Sequence, residues 1–187
     1  DIQGYMENAH IFVYPTEYPE MSYTPIIRAV SSGCMCIHSS AGSNPEISLG
    51  ITSMYGNPIH PGHIECLMLS KELVDELWVI VNNDKQAELK RGIPSFQDEE
   101  YRKVVIESIR YVDHAEIAID QDGSVCETIK LFHDKIKSLD PESETIFTKG
   151  GDRFANEIPE KVVCDSLGIK IVDGLGLKTH NSSDMIK

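Results

Sequence analysis

The sequence predicts an α/β fold: a Rossmann-like open parallel sheet with helices on both faces, preceded by a short N-terminal α/β appendage. Two observations carry that prediction. From about Leu49 onward, short continuous apolar runs alternate with stretches of helical periodicity, the pattern of repeated βαβ units. The runs are apolar at successive positions instead of at every second one, as expected of strands covered on both faces.

Taken in order, the first elements are a strand at Ile11–Tyr14, a helix at Tyr23–Ser31, Gly33 and a strand at Cys34–His38. This is one α/β repeat, too little to bury a core alone. The main series of strands is Ile51–Tyr55, Leu77–Val81, Ala115–Ile119, Thr145–Phe147 and Ile169–Val172. Between them, Ile64, Leu67, Met68 and Val74 share one helical face, and Tyr101, Val104, Val105, Ser108 and Ile109 share a second. Val125, Ile129, Phe132 and Ile136 form a third, and Val162, Val163 and Leu167 mark a fourth. Asp98 with Glu99 and Glu100 puts acid in a first turn, and Gly168 reads as a helix C-cap. Residues 82–97 are polar and contain Gly92 and Pro94; they read as a long connection at the sheet edge where open α/β folds bind ligands. The expected division is 1–48 and 49–187.

Composition narrows the function classes. Thirty acidic and 17 basic residues give a net charge of -13, a field that repels nucleic-acid phosphates. Residues 1–48 hold one basic residue, Arg28, against five acidic ones. No apolar run approaches the roughly 18 residues that span a bilayer, and no basic-then-apolar leader opens the chain. The five cysteines, Cys34, Cys36, Cys66, Cys126 and Cys164, are odd in number and form no Cys-x-x-Cys pair. They read as reduced thiols in a cytoplasmic protein.

The stretch that carries chemistry is His60-Pro61-Gly62-His63, between a strand and a helix. A helix start has unpaired N–H groups and a positive dipole end, so it attracts an anion. Gly62 lets a phosphate approach the backbone, and the imidazoles donate to phosphoryl oxygens. Where charge accumulates on those oxygens in a transfer at an α-phosphate, each aimed donor contributes on the order of 2.7–4 kcal/mol. A zinc site is the competing functional reading, but no neighbouring residues complete His-Glu-x-x-His. Two exposed loop histidines are the plain alternative.

Ser53-Met54-Tyr55-Gly56-Asn57-Pro58-Ile59-His60-Pro61-Gly62-His63 resembles the signature of nucleotidyltransferases related to glycerol-3-phosphate cytidylyltransferase and to heptose-phosphate adenylyltransferases. The same order and spacing continue through Val79–Gln86, Glu99–Arg102, Tyr111–Asp113, Thr148–Arg153 and Asn181–Ser183, so the resemblance runs from about Leu49 to the end. It implies that His60 and His63 stabilise the α-phosphate while a substrate phosphate attacks in line. Lys85 is the expected catalytic lysine. Tyr55, Gly56, Asn57, Gly62, Gly150, Asp152, Ser182 and Ser183 are expected to hold the nucleotide, and Asn83, Lys90 and Arg102 the substrate. Lys90 also reads as a solvated loop lysine, the glycines as a plain turn, and Ser182 and Ser183 as a helix cap. No protein-bound metal is expected; Mg²⁺ comes with the triphosphate. Asp184 beside the Ser182-Ser183 pair departs from the family pattern, because an acid there repels a triphosphate.

Ala9–Glu20 and Ile27–Cys34 resemble the donor half of glycosyltransferases with two Rossmann-like domains, which carry two glutamates eight positions apart. The first is Glu20, but the second position holds Arg28, which reverses the charge. The expectation is a cytidylyl- or adenylyltransferase, CTP before ATP, acting on a small sugar or polyol phosphate in glycan biosynthesis and pairing as a homodimer near Tyr111–Asp113. The alternatives are a non-catalytic nucleotide-binding module or part of a glycosyltransferase.

Overall fold

A computed structural model describes residues 11–14, 35–38, 48–139, 141–151 and 158–176. Contacts divide the chain into Asp1–Glu46 and Ile47–Lys187. In the first unit, strands β1 (Ile11–Tyr14) and β2 (Met35–His38) pair in parallel, Ile11 opposite Met35 and Tyr14 opposite His38. The expected helix Tyr23–Ser31, and Glu20 and Arg28, lie outside the described residues.

The second unit alternates strands and helices. It runs β3 (Leu49–Met54), α1 (Pro61–Lys71), β4 (Glu76–Val81), α2 (Asp84–Arg91), α3 (Glu99–Glu107), β5 (His114–Ile117), α4 (Cys126–Leu139), β6 (Thr145–Gly150), α5 (Glu160–Leu167) and β7 (Lys170–Leu175). The five strands are all parallel, in the order β5-β4-β3-β6-β7. The strand order reverses between β3 and β6, where doubly wound sheets open a crevice beyond the strand C-termini.

Continuous apolar runs supply both faces of this sheet. Ile51, Trp78, Ile80 and Phe147 pack under Val125, Ile129, Phe132 and Ile136 of the α4 segment and Cys164 of α5. Leu77, Val79, Val81 and Ala115 turn to the other face, under Leu67 of α1 and Ile106 of α3. The Rossmann-like architecture is therefore as the sequence predicts.

Two helices differ from expectation. Residues 82–97 are not all connection, because α2 occupies Asp84–Arg91. Its N-cap Asn83 accepts from the Gln86 N–H at 2.9 Å, and Gln86 Oε1 accepts from the Asn83 N–H at 3.1 Å, a reciprocal capping box. Gly92 ends it in the left-handed conformation. In α3 the buried positions are Arg102 and Ile106, whereas Tyr101 and Val104 face solvent. The inward face is thus rotated by about one residue, because a buried arginine takes a place that an apolar pattern leaves to solvent.

Candidate functional site

The loop after β3 builds the site from local rules. Gly56 takes a left-handed φ of 57°, turning the chain away from the sheet, and Asn57 follows, fully buried. His60 is the extended N-cap of α1, and Pro61 takes a first-turn position, where its missing N–H costs nothing. No acidic residue lies in the first turn of α1, so its positive end is not neutralised by the helix itself.

The two imidazoles stack, with ring centroids 3.8 Å apart and planes 27° from parallel. His63 Nδ1 accepts a hydrogen bond from the His60 backbone N–H at 3.3 Å. An accepting Nδ1 carries no proton in the neutral ring, which leaves the proton on Nε2. Burial pushes the pKa of His63 down to about 3, with His60 and Lys90 adding repulsion in the same direction. At neutral pH His63 is thus a neutral Nε2–H donor. Beside it lies an open cleft of about 670 Å³ lined by Ile59, His60, Pro61, Ile64 and Glu65.

The lysines separate. Lys90, in the last turn of α2, holds its Nζ 3.9 Å above the Tyr55 ring and is close enough to His63 to depress its protonation. Lys85 points elsewhere, donating to Gln121 Oε1 at 3.2 Å on the loop after β5. Of the two, Lys90 is the one the fold brings to the histidines.

Asn83 and Arg102, expected at the substrate, are committed to the protein interior. Asn83 Nδ2 donates to the carbonyls of Ala118 and Asp120 at 2.9 and 2.7 Å. Arg102 is 0% exposed, and its guanidinium donates to Tyr55 O at 2.7 Å, Asn82 O at 2.6 Å, Gln97 O at 3.1 Å and Asp84 Oδ1 at 2.7 Å. One side chain thereby ties together the loop after β3, the end of β4, the start of α2 and the start of α3. Asp84 and Glu99 strengthen this junction, each carboxylate accepting from the other's backbone N–H at 3.2 and 2.7 Å.

At the end of β6, Gly150 is glycine for a packing reason: a Cβ there would sit 2.5 Å from Cys66 Sγ of α1. Gly151 follows with φ 70°. Next to them Lys149, nearly buried, donates to Ser53 Oγ at 2.8 Å and lies 3.7 Å from the buried Glu160 carboxylate. Asp152, Ser182 and Ser183 lie outside the described residues. Among the described residues no three His, Cys, Asp or Glu side chains gather as a metal site, so the zinc reading finds no third ligand there.

The Asn57 contacts were not foreseen in the sequence. Its backbone carbonyl accepts from the Arg91 guanidinium, and its Oδ1 accepts from the Gln97 N–H at 3.3 Å. The signal that leads to them is the Asn83-x-x-Gln86 capping box, which starts α2 and so places Lys90 and Arg91 on its last turn.

Residues 57–168 match the cytidylyltransferase-like family model, more than half of the chain. The chain belongs to the cytidylyltransferase-like family. As a member it is a nucleotidyltransferase. Among its relatives is an FAD synthase of Methanocorpusculum labreanum, 32% identical over 132 residues that make up 68% of this chain and 85% of the relative. An FAD synthase of Pyrococcus horikoshii is 33% identical over 104 residues, 55% of this chain and 68% of the relative. A lipopolysaccharide core biosynthesis protein from Thermoplasma volcanium shares the fold, with a TM-score of 0.55 at 24% identity over 70% of this chain and 98% of that one. Among the described residues, no helix is long and apolar enough to cross a membrane.

Proposed function

We propose that this nucleotidyltransferase transfers the adenylyl group of ATP to FMN, giving FAD and pyrophosphate. The observation that carries the substrate choice is the relatives' name, FAD synthase, shared by a protein that this chain matches over 85% of its length. The family places the reaction at a nucleotide phosphate, and the histidine loop offers a fitting site for it. These relatives lead away from CTP, from a sugar or polyol phosphate and from a glycan pathway.

In the proposed mechanism an oxygen of the FMN phosphate attacks the α-phosphorus of ATP in line. A new P–O bond forms as the bond to the β-phosphate oxygen breaks, and pyrophosphate leaves with that electron pair. Negative charge builds on the non-bridging α-phosphate oxygens, where the His63 Nε2–H donates. His60, stacked at 3.8 Å, presents the second ring from the start of α1. Because His63 is already neutral and hydrogen-bonded at Nδ1, no proton has to be moved to make it a donor. Lys90 supplies the cation that meets the phosphates, a task that geometry favours for it over Lys85. Arg102 and Asn83 act as positioning residues, holding the loops without touching substrate. Mg²⁺ enters with the triphosphate as part of the substrate and neutralises its charge.

The test is product analysis with a panel of ATP and CTP against FMN, glycerol 3-phosphate and a heptose phosphate. FAD and pyrophosphate in equal amounts from ATP and FMN are expected. Turnover with CTP and a sugar or polyol phosphate, and none with ATP and FMN, would replace this substrate pair with the other. Nucleotide binding without pyrophosphate release in every combination would make the chain a binding module.

A further inference from the structure

Segment 92–96, between α2 and α3, exposes large apolar side chains beside the histidine loop. Ile93 is 56% and Phe96 70% exposed, with Leu89 on the adjoining turn of α2 at 61%. Exposed loop segments are ordinarily polar, so neighbouring apolar side chains of this size indicate a surface that something covers.

The segment is not a loose connection. Arg91 at its near end donates to the Asn57 carbonyl, and the N–H of Gln97 at its far end donates to Asn57 Oδ1 at 3.3 Å. The Gln97 carbonyl is held in turn by Arg102 Nε at 3.1 Å. Both ends are thus pinned to one buried residue, three positions before His60. Phe96 stands one Cα step, about 3.8 Å, from the second pin. Asn57 Nδ2 is itself buried without a protein partner, an unspent donor at the junction of the segment and the loop.

Charge decides what fits. Lys90 and Arg91 precede the segment immediately and lie against Tyr55 and Asn57. Along the chain the cations Lys90 and Arg91 come first and the exposed Ile93 and Phe96 follow, a cationic and then an apolar stretch that matches a ligand with a phosphate at one end and a flat apolar body at the other.

We propose that Phe96, supported by Ile93, is the platform on which the flat ring system of the phosphorylated acceptor stacks, and that it selects a ring-bearing acceptor over a simple sugar phosphate. This rests on the FMN reading of the site. Stacking between an aromatic side chain and a heteroaromatic ring is tolerant of substituents and strong enough to set an acceptor's affinity.

The experiment compares the full chain with Phe96→Ala and Phe96→Tyr in steady-state FAD formation, varying FMN and ATP separately. Loss of the platform is expected to raise KM for FMN about tenfold, with kcat at saturating FMN within about twofold and KM for ATP unchanged. Tyr at the same position is expected to keep the wild-type KM. Wild-type turnover of FMN with an unaltered KM in Phe96→Ala would overturn the platform while leaving the FMN reading in place. A parallel rise in both KM values, or a fall in kcat alone, would also overturn it, marking Phe96 as a support of the loop. A change of sedimentation coefficient in Phe96→Ala without a change in KM would give the surface to a second copy of the chain. Absence of FAD formation by the wild-type chain would remove the FMN reading itself and the platform with it.

Discussion

His63 shows how one residue's environment sets its chemistry. Its ring is held neutral by burial and by its neighbours, with the proton directed to Nε2 by the hydrogen bond that Nδ1 accepts. In the proposed mechanism His63→Ala removes a transition-state donor, and it is expected to lower turnover by about 10²–10³ with little change in thermal unfolding at pH 7.5. Equal losses of both would make the residue structural. The same depressed pKa has a consequence for stability. Between about pH 6.5, the ordinary value, and about 3 in the fold, the unfolded chain binds a proton that the folded chain refuses. Stability contributed here is therefore present above pH 6.5 and falls as the pH is lowered toward 3. Urea midpoints measured across that range should fall less steeply in His63→Gln than in the wild type; identical slopes would contradict the neutral, desolvated ring. For the lysines, Lys90→Ala is expected to lower kcat/KM about tenfold or more and Lys85→Ala to stay within about twofold, read from the same initial-rate assay.

At the scale of elements, the site is as rigid as the junction that Arg102 makes. Its four acceptors come from the loop after β3, the end of β4, α2 and the turn before α3. Asp84→Asn weakens the charged contact within this junction and should cost about 1–3 kcal/mol in a urea titration at pH 7. A midpoint equal to the wild type's would mean that the neutral partners suffice. Gly150 tests a different joint, the contact of β6 with α1. Gly150→Ala drives a methyl to 2.5 Å from Cys66 Sγ and is expected to cost about 1–3 kcal/mol, a loss that Cys66→Ala in the same chain should partly restore. Additive losses in the double variant would show that the clash lies elsewhere. These elements also show what was legible in the sequence. The strands were, because each carries a short cluster of apolar residues, nearly continuous in β4, and α4 was, because Val125, Ile129, Phe132 and Ile136 keep strict helical spacing. Helix α2 was not, because it buries only Gln86 and Ala87 and declares itself by its caps instead of by an apolar stripe. The face of α3 was misplaced by its buried arginine, a residue that patterning assigns to solvent.

Across the whole molecule, the parallel order β5-β4-β3-β6-β7 brings the β3 and β6 ends side by side, one leading to the histidine loop and the other to Gly150-Gly151. The loop was legible because four consecutive residues define it. Asn57 and Lys90 were legible from the resemblance, but the contacts of Arg91 and Gln97 with Asn57 were not, since they meet only through the tertiary fold and no local pattern joins residues forty positions apart. Acceptor identity was likewise beyond the motif, which describes the phosphate end of the reaction and not the body attached to it. Adenylyl transfer at the histidine pair is tested most directly by following FAD and pyrophosphate together from ATP and FMN, wild type against His63→Ala. Equal yields of the two products from the wild type, falling at least a hundredfold in the variant, are the predicted result. ATP bound by the wild type with neither product formed, or equal rates in both chains, would contradict it.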